Sequence, residues 1–439
     1  MPDQKIPEQE PGRKHSFIRE KVVRPPMSRG QIVRRVAVYL LIAVMAGAAA
    51  GAGFAVARPL AERYLAPEET EESIPITLPI EEPETQPQPT EPEDTQEPSE
   101  PTEAVKDILK DAMEDYEYSV DDVNAMFSSL RSVVQEADRS IVVVHSVKQE
   151  TDWFDNPVET SGLYAGAVIA STPHDFLIFT PDHAVEDADS IKVTFSDGTE
   201  ADGTVRQSDQ AAGMAVVAVD KSLLSDTARN NTQALTLGNA YGIRQGDLMI
   251  ALGAPSGIVH SSAYGFVSYI LRVAQVPDGV ARVLYADIGS SAQAGTFLFN
   301  LSGELVGWVT EAFQSESGGC SVPAFTVSDY RTKLEKMSNG VAVPYVGIKV
   351  QDVTETMTSA GMPAGVYASE CILDGPAYNA GIQNGDIVVC IGDKEIVSVK
   401  DYQTQVENLT VGRDVTIVVL RKGIDEYREL EYQVTVGAR

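Results

Sequence analysis

The segment Ser290-Ser291-Ala292-Gln293-Ala294-Gly295-Thr296-Phe297-Leu298-Phe299-Asn300-Leu301-Ser302-Gly303-Glu304 places a methyl group, at Ala294, directly before a glycine and a short apolar run that ends in a turn. A methyl has no lone pair with which to attack a carbonyl carbon, so this position offers no nucleophile. On either side, from Ser140 to about Ala324, short β-branched runs alternate with Gly, Pro, Asp and Ser turns. Examples are Ile141-Val142-Val143-Val144, Ala167-Val168-Ile169, Phe176-Leu177-Ile178-Phe179, Met214-Ala215-Val216-Val217 and Leu248-Met249-Ile250-Ala251-Leu252. Many short strands at close spacing, with no long helices between them, predict an all-β barrel or sandwich. A helix-like stretch, Val327 to Met337, follows. Ser338-Asn339-Gly340 then makes a hinge into a last domain spanning 341–439.

Toward the N-terminus the pattern changes twice. Over 105–138, apolar positions step by three and four, from Val105, Ile108 and Leu109 to Leu130, Val133, Val134 and Ala137, which predicts two amphipathic helices. Ser119 with Asp122 supplies a capping-box start to the second. Before them, residues 58–104 have no basic side chain after Arg63 and alternate acidic residues with nine prolines from Pro67 to Pro101. Such a tract cannot bury enough apolar surface to offset chain entropy, and it reads as a disordered acidic stalk. Residues 36–57 form an uncharged run of 22 residues. At a rise of about 1.5 Å per residue that length crosses a hydrocarbon core of about 30 Å, so the run reads as a single transmembrane helix. Nine Lys and Arg side chains lie in the tail 1–35, against Arg58 and Arg63 just beyond the span. The positive-inside rule therefore puts the tail in the cytoplasm and everything after the span outside it.

At 439 residues and 43% hydrophobic composition the chain has room for two or three domains with real cores. A net charge of -30, from 34 Lys+Arg against 64 Asp+Glu, argues against contact with a phosphate backbone and so against a nucleic-acid partner. Cys320, Cys371 and Cys390 make neither a disulfide framework nor a metal-ligand pattern, so neither metal nor cofactor is expected. Buried free thiols fit these positions. A Cys371–Cys390 pair stays open in an oxidising compartment.

The opening segment resembles the nucleophile segment of the HtrA/DegP-like serine proteases, written Asn-Pro-Gly-Asn-Ser-Gly-Gly-Pro-Leu-Val-Asn and then, after a short turn, Gly-Glu. Leu298, Asn300, Gly303 and Glu304 fix the register and put Ala294 on the serine. Phe176 to Val185 is similar to the strand that ends in the family's general base, and His183 fits that position. Ser208 to Val217 is similar to Asp-x-x-Thr-Asp-Leu-Ala-Val-Leu, with Gly213 where the base-orienting Asp stands; Asp209 matches only the earlier, noncatalytic Asp. Ala292 takes the place of the glycine whose tight backbone serves the oxyanion hole, and Thr296 and Phe297 replace Gly and Pro. The resemblance implies a chymotrypsin-like double β-barrel over 139–337 with the imidazole of its triad kept and the hydroxyl and carboxylate lost. Catalysis by that constellation needs all three parts. Ser290 and Ser291 are the substitute nucleophiles within reach, but use of Ser291 would require three extra residues before Gly303.

The last domain, 341–439, resembles a bacterial PDZ domain through Tyr345-Val346-Gly347-Ile348 and Asp374-Gly375-Pro376-Ala377 running on to Asn384-Gly385-Asp386-Ile387-Val388. The resemblance implies that the amides of Tyr345, Val346, Gly347 and Ile348 bind a peptide's C-terminal carboxylate, with Tyr402 and Val406 shaping the side-chain pocket. The whole then reads as a membrane-anchored, extracytoplasmic pseudoprotease that binds peptides or the C-termini of unfolded envelope proteins. A homotrimer, or a hetero-oligomer with an active homologue, is the assembly the family implies. The alternative is an active serine endopeptidase of the family with a non-standard nucleophile.

Overall fold

The structure, a computed structural model, describes Leu78 and residues 119–151, 157–314, 321–424 and 426–439. The tail, the expected span at 36–57, the first amphipathic helix and Cys320 lie outside the described residues. Among the described residues no helix is long and apolar enough to cross a membrane.

Helix α1, Val120–Asp138, starts as its sequence predicts: the Ser119 hydroxyl accepts from the Asp122 amide, and the Asp122 carboxylate accepts from the Ser119 amide at 2.8 Å. Only its last turns reach the core, through Val133, Val134 and Ala137. Strands β1 (Ile141–Thr151), β2 (Pro157–Ser171), β3 (Asp175–Thr180), β4 (Ser190–Thr194), β5 (Glu200–Asp209) and β6 (Met214–Asp220) close a first barrel in the order β1-β2-β3-β6-β5-β4. A second barrel follows, from β7 (Leu248–Gly253), β8 (Ser261–Val276), β9 (Gly279–Asp287), β10 (Thr296–Phe299), β11 (Leu305–Val309) and β12 (Val322–Thr326), in the order β10-β11-β12-β9-β8-β7. Closure removes the open edges that six short strands would otherwise expose.

Aromatic side chains hold the barrels together. Phe179 of β3 packs at 5.6 Å against Phe297 of β10 and edge-on at 5.1 Å against Trp308 of β11. Trp308 in turn meets Phe325 and Tyr330, and its indole N–H donates to the Ala212 carbonyl at 3.4 Å. Tyr330 comes from helix α2, Val327–Ser338, which also buries Leu334 and Met337.

Leu78 is the one described residue of the stretch 58–104, and it is buried. Its amide donates to the Glu335 carboxylate at 3.2 Å, and its carbonyl accepts from the Arg331 guanidinium, so α2 holds it by both backbone groups.

The last domain carries a sheet ordered β14 (Ile348–Asp352), β15 (Val366–Cys371), β16 (Ile387–Ile391), β18 (Asp414–Lys422), β19 (Tyr427–Thr435), with β17 (Lys394–Glu395) on β16. A short pair, β13 (Pro344–Tyr345) with β20 (Gly437–Ala438), and helix α3, Val399–Glu407, complete it. Asp386, buried, accepts two bonds of 2.7 Å from the Arg421 guanidinium, the fork geometry in which a buried carboxylate is best compensated. Cys371 and Cys390 are free thiols, and burial pushes the Cys371 thiol up to about 11.

Beneath the last domain, Asp209 of β5 and Arg439 form an ion pair of 3.3 Å with both side chains at most 1% exposed. Lys333 of α2, 5% exposed, lies near this pair and over the Tyr330 ring. Burial, reinforced by the Arg439 charge, lowers its ammonium to about 8. Between that value and the ordinary lysine range the unfolded chain holds the proton and the folded chain does not, so this group makes stability rise with pH across the window. Lys333→Met should therefore stabilise the fold at pH 7 by roughly 1–3 kcal/mol. The difference between variant and wild type should shrink as pH climbs from 8 toward 10.5. Urea unfolding at several pH values measures both.

Candidate functional site

Strand β3 delivers Thr180-Pro181-Asp182-His183 to the seam between the barrels. Thr180 is buried and donates its hydroxyl to the Ala165 carbonyl at 3.2 Å. A single 3-10 turn, Asp182–Ala184, then presents the His183 imidazole with about half of its side chain exposed. Gly213 follows the β5 strand at φ +65, and a Cβ built there would lie 3.8 Å from the Asp182 carboxylate. Gly295, at φ +90, faces the same place: a Cβ there would lie 3.4 Å from the Ala165 amide and 3.5 Å from the Pro181 ring. The fold thus brings Gly213 to Asp182 and Gly295 to Pro181 where the two barrels meet.

The imidazole does not stand without a carboxylate, because Asp182 Oδ1 lies 3.3 Å from His183 Nδ1 and Glu186 Oε2 lies 3.6 Å from the same atom. Asp182 leans over the space that a side chain at 213 would have filled. Burial raises the Asp182 carboxyl above the ordinary carboxylate range, and the His183 charge pulls it partly back. Asp209 is engaged elsewhere, by the Ala212 amide at 3.1 Å and by Arg439. Ligand atoms of Asp182, His183 and Glu186 all lie within 4.8 Å of one another, a spacing that a divalent cation could bridge.

Around Ala294 the backbone is engaged by its own chain. The Ala292 amide donates to the Gly289 carbonyl at 3.3 Å and the Thr296 amide to the Gln293 carbonyl at 3.0 Å. An amide engaged by its own chain is not aimed at a developing oxyanion. The Ser291 hydroxyl donates to the Pro255 carbonyl at 3.3 Å. Phe297 is buried in the aromatic seam beside Phe179, and Thr296 is fully buried with no partner for its hydroxyl among the described residues.

In the last domain the expected residues come together, but around a group the sequence reading did not single out. The amides of Val346, Gly347 and Ile348 donate to the Asp278 carboxylate at 2.9, 2.9 and 3.1 Å, and the Tyr402 hydroxyl donates to it at 3.1 Å. Asp278 sits at the tip of the β8–β9 hairpin of the second barrel, at φ +60 and 4% exposed. Burial, with the Asp278 charge next in size, holds the Tyr402 phenol well above its usual range, so it remains a donor. The Tyr345 amide is not among these donors, and Val406 is buried in the domain core. No signal but Pro277-Asp278-Gly279, an ordinary turn sequence, marked this aspartate.

Two six-stranded barrels joined at a histidine-bearing seam and followed by a PDZ-type sheet define a trypsin-like protein with an appended PDZ domain. The description "Trypsin-like peptidase domain" matches residues 164–307, and "PDZ domain" matches 344–431. The "Probable periplasmic serine endoprotease DegP-like" of Pseudomonas savastanoi is 30% identical over 65% of this chain and 57% of its own length. The "Putative serine protease HhoB" of Synechocystis is 29% identical over 59% of this chain and 64% of its own. The chain therefore spans less than two thirds of the curated relatives it matches. A solved structure of a Ser-to-Ala variant of the HtrA-type protease AlgW with tripeptide aligns over 71% of this chain and 97% of its own, at 26% identity and a TM-score of 0.50. The chain is a member of the HtrA/DegP-like family.

A buried hydroxyl without a partner costs roughly 1–3 kcal/mol. Replacing Thr296 by Val keeps the shape and removes that cost, so Thr296→Val should stabilise the chain by about 1 kcal/mol. Chemical denaturation measures it, and a loss of stability would show that the hydroxyl is bonded.

Proposed function

We propose that this chain is a non-proteolytic member of its family, anchored in a membrane by residues 36–57, whose extracytoplasmic domains bind peptides or unfolded protein C-termini. The observation that carries the reading is the methyl group of Ala294, next to Gly295, whose Cα faces Ala165 and Pro181 of the first barrel. Asp182 Oδ1 lies 3.3 Å from Nδ1, so the reading rests more on the missing hydroxyl than on the missing carboxylate at 213. The Ala292–Gly289 hydrogen bond supports the same reading, because it occupies an amide that oxyanion stabilisation would need. Ser291, bonded to Pro255, gives the active-enzyme alternative little support.

The full chain should leave casein intact and should not be labelled by a fluorophosphonate probe. Ala294→Ser should still turn over at least about a hundredfold more slowly than an active relative, since one oxyanion donor alone is worth a factor of about 100–1,000. Labelling of the unmodified chain that disappears in Ser291→Ala would instead establish the enzyme.

The anchor and its orientation rest on the 22-residue apolar run and the basic tail before it. Protease added to intact, wall-stripped cells should remove everything beyond Arg63 and spare residues 1–35. Survival of the large fragment would reverse the orientation.

A further inference from the structure

We propose that the tip of the β8–β9 hairpin is a built-in ligand of the PDZ domain, with the Asp278 carboxylate standing where a partner's C-terminal carboxylate would bind. The inference rests on the peptide-binding reading above and adds what occupies that site.

The contacts reproduce peptide recognition feature by feature. Three consecutive amides and one hydroxyl converge on the carboxylate, which matches the number of lone-pair directions its two oxygens offer. The backbone adds to the sheet edge as an incoming strand would: the Asp278 amide donates to the Ile348 carbonyl at 2.8 Å, and Pro277 bridges Lys349 in antiparallel sense. Val280, two residues on, packs against the PDZ core as a ligand's apolar side chain would. Gln403 of α3 closes the far side, accepting from the Val280 amide at 3.3 Å. A Cβ at Gly279 would fall 2.6 Å from the end of the Gln403 side chain, which would have to shift, so glycine suits the close passage of the turn under α3.

The hairpin is also held from behind. Arg439 donates to the Pro277 carbonyl and pairs with Asp209 of the first barrel. Gln275 bonds both Gln351 and Ser369, at 2.9 Å each. A C-terminal peptide must therefore displace Asp278. If the groove is free in about one molecule in ten, apparent affinity falls about tenfold below that of the open groove.

The test uses the full chain in detergent and a fluorescein-labelled decapeptide ending in Val-Val-Val, either with a free carboxylate or amidated. Asp278→Ala should bind the free form at least about tenfold more tightly than wild type, and the amidated form should gain much less. Asp278→Asn, which keeps the shape and one acceptor oxygen, should fall between and serves if the alanine variant does not fold. Hydrogen exchange at Val346, Gly347 and Ile348 should quicken at least about tenfold in the same variants, since those amides lose their acceptor. Equal affinity of wild type and variants for the free peptide, or unchanged exchange at the three amides, overturns the proposal. Faster exchange with no binding by any form leaves the closure standing and removes the peptide-binding reading instead.

Discussion

The fold depends on the ring of Phe179. Two barrels whose strands pair only within themselves need a shared apolar surface to act as one body, and Phe179 supplies it by touching Phe297 and Trp308 of the other barrel. Each such aromatic pair adds about 0.5–1.5 kcal/mol beyond the area it buries. The seam continues through Phe325 and Tyr330 to α2, so the helix that leads into the PDZ domain is held by the same cluster. Rotation of one barrel against the other would break both Phe179 contacts, the ones in this chain of rings that cross between barrels.

That seam also accounts for the state of the candidate site. Phe297, where the family resemblance expects proline, puts its ring into the packing that joins the barrels. The residues before it have closed into local turns, with the Ala292 and Thr296 amides bonded to nearby carbonyls. On the other side, Asp182 has moved a carboxylate to His183 Nδ1 over the gap at Gly213. The histidine has a carboxylate from its neighbour in sequence beside it, while Phe297 and Thr296 are buried in packing. Such an arrangement satisfies most of the segment's backbone groups locally, as buried polar groups require.

Much of this was legible in the sequence, for identifiable reasons. Runs such as Met214 to Val217 and Leu248 to Leu252 are long enough, and flanked by enough turn residues, to announce strands, and the Ser119–Asp122 box announces the start of α1. What escaped notice are contacts between residues far apart in sequence. Asp182 drew no notice until its backbone turn carried it beside His183, and Asp278 resembled any turn aspartate until Val346, 68 positions on, folded back onto it. Leu78 was hidden in a different way. The acidic, proline-rich composition around it speaks of solvation, yet Ile74, Ile76, Leu78 and Ile80 form an apolar island in that tract, and Leu78 is buried against α2.

The closure by Asp278 is a matter of concentration as much as of contacts. A ligand tethered within the same chain competes at an effective concentration on the order of millimolar, and more when the tether is rigid. The β8–β9 hairpin is rigid, being laddered on both strands and gripped by Gln275 and Arg439. A free peptide that engages only a few residues binds at roughly micromolar strength, so at ordinary abundance it would lose this competition. Displacement then needs more than the groove: a partner that also loosens the hairpin, by engaging the second barrel or by parting the Asp209–Arg439 pair. Parting that pair leaves two buried charges uncompensated, at several kcal/mol. The groove is therefore set to answer to the relative placement of its own domains before it answers to a peptide.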